Sequence, residues 1–268
     1  MEVDFGKTAA DYSLHRAGFP DRLFDRLADF GIGAPGQRIL DLGTGTGALA
    51  RGFARRGAVV TALDVAPEML AAGADLAAAE GLEVDFREGS AEATGLPDGS
   101  FDAVTAGQCW HWFDSAAAAA EARRLLRPEG RIALCHFDWL PLPGNVVAAS
   151  EALIREHNPA WAFGGGHGFH GVHAAALAQA GFLDIESFSF DRGVTYSHVA
   201  WRGRIRASAG VSGSLAPEAV AAFDDAHAAL LAAAFPEDPL VVPHRCFALI
   251  ARCGPAGVAG GVPAAVRG

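Results

Sequence analysis

The residues best placed to do chemistry are Asp41-Leu42-Gly43-Thr44-Gly45-Thr46-Gly47. The apolar run Ile39–Leu42 reads as the end of a strand, and Ala48–Arg56 reads as the helix after it. Glycines at such a junction let the backbone turn tightly and approach a ligand closely. A dinucleotide loop has the spacing GxGxxG and aims a helix N-terminus at a pyrophosphate. Here the spacing is GxGxG, with an acid in front. Asp41 would repel a pyrophosphate and would suit a cationic amino group, such as that of a methionine moiety.

Asp64 ends the next apolar run, Val60–Leu63. A carboxylate at the tip of a second strand can accept both hydroxyls of a ribose. Glu88-Gly89-Ser90-Ala91-Glu92 follows the third apolar run, where side chains and amides could frame an adenine. That contact could come from a backbone amide or from Glu92. Asp98–Val104 leads into a fourth strand.

Those groups must be held by regular elements, and the chain supplies them in alternation. Strands are predicted at Arg38–Asp41, Ala58–Asp64, Leu82–Arg87, Phe101–Ala106 and Arg131–Phe137. Helices are predicted at Ala48–Arg56, Pro67–Glu80 and Ala116–Leu126. Strict alternation implies a parallel sheet with right-handed crossovers. Beyond it, helices are predicted near 146–157, 171–180, 198–208 and 216–234, and strands at Asp184–Asp191 and Val241–Arg252. The expected organisation is a helical segment over 1–36 that closes the site, a cofactor core over 37–139 and a substrate cap over 140–180. The C-terminal part of the sheet would follow over 181–253, with a mobile tail over 254–268.

Together with Leu125–Arg131, these segments resemble the successive motifs of class I S-adenosylmethionine (SAM)-dependent methyltransferases, over about residues 37–137. Phe5–Tyr12, Arg16–Pro20 and Gln108–Asp114 resemble the small-molecule members, of the trans-aconitate and ubiquinone-biosynthesis types. The resemblance implies a Rossmann-like α/β fold, with a seven-stranded sheet of order 3-2-1-4-5-7-6, the last strand antiparallel. It implies SAM as cofactor and S-adenosylhomocysteine as product. The cofactor contacts it implies are Tyr12, Arg16, Asp41, Gly43, Thr44, Gly45, Gly47, Asp64, Val65, Met69, Ser90, Ala91, Glu92 and Gln108.

His111 follows the fourth strand, where a transferred methyl should emerge. A neutral imidazole there could take a proton from an attacking hydroxyl or amine. The other reading is a helix-start residue that packs or caps. Trp110 and Trp112 are either walls of a methyl pocket or core rings. His136, His157, His170 and Arg204 are the further substrate candidates. Arg202 and Arg206 share a helix face at i, i+4 spacing and could hold a carboxylate; otherwise they form a solvated face. His167, His170 and His173 recur every third residue without a nearby acid, and Thr105–Gln108 lacks the acid that a catechol-binding metal site needs, so no metal is expected.

Composition narrows the partners. The 268 residues are 51% hydrophobic and 19% charged, enough for a substantial core. The net charge is −10, Lys7 is the sole lysine and no basic stripe is present, which disfavours duplex nucleic acid. No apolar run approaches a bilayer span and no signal-peptide pattern is seen, so a cytoplasmic location is expected, without a membrane partner. Cys109, Cys135, Cys246 and Cys253 form no CxxC pair and read as free buried thiols. A monomer or homodimer acting on a small molecule is the expectation. Three rivals remain: non-methylating use of SAM, by alkyl transfer or cyclisation that releases methylthioadenosine; a non-catalytic scaffold; and a nicotinamide oxidoreductase, which the loop spacing disfavours.

Overall fold

A computed structural model describes residues 18–254. Tyr12, Arg16 and the tail beyond Gly254 lie outside the described residues. The strands are β1 (Arg38–Leu42), β2 (Val59–Asp64), β3 (Val84–Glu88), β4 (Phe101–Gly107), β5 (Leu126–Trp139), β6 (Phe182–Tyr196) and β7 (Leu240–Cys253). The helices are α1 (Asp21–Asp29), α2 (Ala48–Ala54), α3 (Pro67–Ala79), α4 (Ser115–Leu125), α5 (Val146–His157), α6 (Ala174–Gln179), α7 (His198–Arg206) and α8 (Pro217–Ala234). The seven strands form one mixed sheet in the order 3-2-1-4-5-7-6, as the resemblance implied.

β1 pairs parallel to β2 and β4, β2 to β3, and β4 to β5. Every residue of β1 after Arg38 is buried, as expected of a parallel strand covered on both faces. β5 and β6 run several residues beyond their predicted bounds. β5 begins at Leu126, which pairs with Phe101 across a register shift before Ala103. Glu129 beside that irregularity has φ 66°, a conformation that interrupts an apolar pattern without ending the strand. β6 lies at the sheet edge, and most of its residues are at least partly exposed, so its hydrophobic signal covers only its middle.

The described residues fall into two compact units. One comprises Phe19–His136 and His170–Phe188 with the chain from Phe247; the other comprises Phe137–Phe169 and Ser189–Cys246. In the first, Leu40, Leu42, Leu63, Val104, Trp110 and Leu134 belong to one buried cluster. In the second, Ile154, Trp201, Phe223 and Leu231 pack together. Beside this second core, the Trp201 indole N–H donates to Ser150 Oγ (3.0 Å), which also meets His227 Nε2 at 2.9 Å. Burial pushes His227 down to about 4, so it is neutral at physiological pH.

The paired guanidiniums on α7 already have their carboxylate. Arg202 donates to both oxygens of Asp224 on α8, and Arg206 donates to Asp224 Oδ1 at 2.8 Å. The idea that Arg202 and Arg206 await an acidic substrate is therefore replaced by a helix-to-helix ion network. Truncating Asp224 would leave two partly buried guanidiniums unbalanced. Asp224→Ala should lower the unfolding free energy by about 2 kcal/mol in urea titrations, since breaking one side of a partly desolvated network costs more than a surface pair. A variant as stable as the parent would show that the network contributes nothing net.

Candidate cofactor site

The glycine loop sits at the carboxyl end of β1 in the first unit, and its three glycines are all left-handed: Gly43 φ 57°, Gly45 φ 56° and Gly47 φ 78°. At Gly43 a Cβ would lie 2.8 Å from the Phe113 ring and 2.9 Å from Cys109 Sγ. At Gly47, which begins α2, it would press on the Phe86 ring at 3.1 Å. The loop thus needs glycine twice over, for its torsions and for its close approach to the next elements.

Two carboxylates hold this loop. Asp41 is buried, and its oxygens accept from Thr44 Oγ1 at 2.6 Å and Thr105 Oγ1 at 2.7 Å. The β1–β4 register places Thr105 directly beside Asp41. Burial pushes the Asp41 carboxyl up to about 6; the two hydroxyls oppose that rise, and the charge of Asp64 adds to it. Asp64 Oδ2 accepts from the Gly45 amide at 2.7 Å, and its Oδ1 accepts from the Ala66 amide at 3.0 Å. Thr44 N donates to Leu63 O at 3.0 Å, tying the loop to the tip of β2 a second time. Each carboxylate oxygen can accept more than one hydrogen bond, so Asp64 keeps capacity for ligand hydroxyls.

The neighbouring segments close round the same strand tips. Val65 is 68% exposed beside Asp64, while Met69 is buried with its methyl near the loop at Gly45. Ser90 Oγ donates to the Glu92 carboxylate, whose other oxygen accepts from the Asp114 amide at 3.1 Å. Ala91 is in the core cluster. Gln108 has φ 62°, rare for a side chain with a Cβ, and its amide donates to Cys135 O at 2.9 Å. His136 therefore lies on β5 just past the end of β4.

After Gln108 the chain makes a short 3-10 turn, Trp110–Trp112. Trp110 is fully buried and edge-on to Phe113, so its ring belongs to the core. His111 and Trp112 are exposed, with their rings 4.8 Å apart. His170 is stacked on His136, with centroids 3.5 Å apart. Among the remaining candidates, His157 on α5 is edge-on to Phe223, and Arg204 lies 4.5 Å over the Trp139 ring within reach of Tyr196 and Asp138. Thr105 was missed in the sequence: only the strand register reveals it as a partner of Asp41.

Comparisons with known proteins bear on the same residues. A family model described as a methyltransferase domain matches residues 40–134, from the glycine loop to β5. A nocamycin O-methyltransferase from Saccharothrix syringae is 35% identical over 206 residues, covering 70% of this chain and 74% of that protein. The chain belongs to the class I SAM-dependent methyltransferases. An uncharacterised methyltransferase of Mycobacterium tuberculosis is 40% identical to it over 162 residues, 58% of the chain, and the match spans 63% of that relative's length. A structure titled as a putative type II methyltransferase from Anaeromyxobacter dehalogenans superposes with TM-score 0.60 at 24% identity, over 90% of this chain and 99% of that one. For this methyltransferase-family chain, the loop that turns on Gly43, Gly45 and Gly47 is also the segment with which the family match begins.

Two measurements test the loop. A carboxyl raised by burial stabilises the fold below its unfolded value and loses that contribution as pH rises through the folded value. Asp41 should therefore make the protein less stable from about pH 4 to about pH 6, and Asp41→Asn should flatten that slope in denaturant titrations. An unchanged slope would assign the titration elsewhere. Gly43→Ala should cost about 2 kcal/mol or more, and Gly45→Ala less, because the nearest atom to a Cβ at Gly45 is 3.4 Å away. Equal losses would mean that the contacts of Gly43 with Phe113 and Cys109 do not matter.

Proposed function

We propose that this chain transfers a methyl group from SAM to a hydroxyl-bearing small molecule. The observation that carries the reading is the acid-flanked, all-left-handed glycine loop, tied at Gly45 to Asp64. That loop offers backbone space and two carboxylates, a surface suited to a cationic aminoacyl nucleoside and hostile to a diphosphate. The relative named as an O-methyltransferase supports an oxygen acceptor.

In this reading Asp41 faces the amino group of the cofactor through the hydroxyl network of Thr44 and Thr105, and Asp64 accepts the ribose hydroxyls. Gly43, Thr44, Gly45 and Gly47 supply close backbone. Val65, Met69, Ser90, Ala91 and Glu92 frame the base, with the Ser90–Glu92 hydrogen bond fixing the acid. Gln108, and Tyr12 and Arg16 from outside the described residues, complete the aminoacyl end. The cofactor supplies an activated methyl on a sulfonium. The chain's residues supply alignment and exclude water, since a displacement of this kind gains most from proximity. His111 would accept the proton that leaves the acceptor hydroxyl. Trp110, buried behind it, anchors the turn that presents His111. His136 and His170 lie near the same strand tips, and His157 and Arg204 are the substrate candidates of the other unit. A carboxylate on the acceptor would have to compete with Asp138 for Arg204.

The test is direct. The protein should bind S-adenosylhomocysteine with micromolar affinity by calorimetry, and Asp64→Ala should weaken it at least about tenfold, the loss expected when hydrogen bonds to a charged acceptor are removed. Binding should also weaken as pH falls below about 6 and Asp41 takes up a proton. No detectable binding, or an Asp64 variant indistinguishable from the parent, would sink the reading. Turnover that yields methylthioadenosine instead of S-adenosylhomocysteine would replace methyl transfer with the alkyl-transfer or cyclisation chemistry.

A further inference from the structure

Within the first unit, three imidazoles that are far apart in sequence meet face to face. His136 is buried near the end of β5. His170 precedes the 3-10 turn Gly171–His173, and His173 ends that turn at the start of α6. Residues three apart in a 3-10 turn are eclipsed, so His170 and His173 project on the same side. Their rings are parallel within 3°, with centroids 6.3 Å apart. The His136 ring lies within 9° of His170 at 3.5 Å and within 12° of His173 at 6.0 Å. One ring nitrogen from each lies within 4.8 Å of the other two.

Neutral imidazole is the form that binds metals. The grouped donors are all nitrogen, without carboxylate or thiolate. That set suits zinc, copper or nickel and is poor for magnesium or calcium, which take oxygen. Bonds of about 2.0–2.1 Å in a tetrahedral site put ligand nitrogens roughly 3.4 Å apart. An imidazole lone pair lies in its ring plane and the three rings are stacked nearly parallel, so His170 and His173 must turn out of the stack as the trio contracts. Buried His136 is the fixed point, while half-buried His170 and His173 follow glycines at 164, 165, 166 and 168, with Gly171 between them.

We propose that His136, His170 and His173 form a three-imidazole site for one divalent transition-metal ion. This departs from the sequence expectation of no metal, which weighed His167 with His170 and His173; the fold puts His136 in the place of His167. A fourth position would remain for water or a ligand oxygen, as in catalytic zinc sites. The proposal rests on the geometry of the trio and does not depend on the methyl-transfer reading.

The experiment uses full-length, tag-free protein stripped with a chelator, then dialysed against zinc chloride near neutral pH. About one zinc per chain is expected. His170→Gln and the His170→Ala/His173→Ala double variant should weaken zinc binding at least about tenfold with unchanged circular dichroism, and His167→Ala should retain it. Cobalt substitution should give tetrahedral visible bands without a thiolate charge-transfer band. Well below one zinc per chain, full binding in His170→Gln, or a thiolate band pointing to cysteine ligands would each overturn the proposal. S-adenosylhomocysteine binding is measured on the same samples. Cofactor binding without zinc removes this site and leaves the proposed function, and zinc without cofactor binding does the reverse.

Discussion

The site depends on a carboxylate kept where a carboxylate is costly. Asp41 is buried at the carboxyl end of a strand covered on both faces, with two hydroxyls as the side-chain partners of its oxygens. Burial favours its neutral form, and the nearby charge of Asp64 does the same. A cationic group at the loop would relieve both effects at once. Two acids on one glycine loop therefore bias the kind of ligand before any ligand contact is considered. The same pair organises the protein: Thr105 joins Asp41 across β1 and β4, and Asp64 joins the loop to β2.

This explains why the core was so legible in sequence. The glycines, Asp41 and Asp64 belong to one local device at adjacent strand tips, and the alternating strands and helices around them follow short-range rules. Predicted and observed bounds for β1, β2, α3 and β4 differ by two residues or fewer. What could not be read depends on pairing between distant segments. Thr105 acquires its meaning from register alone. Leu126–Arg131 belongs to β5 because Phe101 pairs with Leu126, although Pro128, Glu129 and Gly130 look like a turn. Edge strand β6 is longer than its apolar pattern, since one side of an edge has no neighbour to demand apolar residues.

The histidines show the same limit. His167, His170 and His173 draw attention because their spacing is regular, yet regular spacing is a property of the chain and not of the fold. His167 is exposed and accepts the Phe169 amide on its own Nδ1. The group that forms is made of two histidines one tight turn apart and a third from a strand 34 positions before His170. Likewise Arg202 and Arg206 share a helix face as their spacing indicated, but that face meets Asp224 rather than open solvent.

The turn after β4 shows how a buried anchor fixes an exposed group. Gln108 takes a left-handed conformation that its Cβ disfavours, at an energy cost the surroundings must offset. Its amide is held by Cys135, the Cys109 thiol donates to Leu42 O at 3.1 Å, and the Trp110 ring is locked in the core. Three successive residues are thus pinned to β5, β1 and the core. Their successors, His111 and Trp112, are exposed on a turn whose position is set from behind. Gly43 faces the same anchor, since a Cβ there would strike Cys109 and Phe113. The loop proposed to hold the cofactor and the turn proposed to receive the proton are therefore fitted to each other by packing. A change at Gly43 or Cys109 should therefore disturb both.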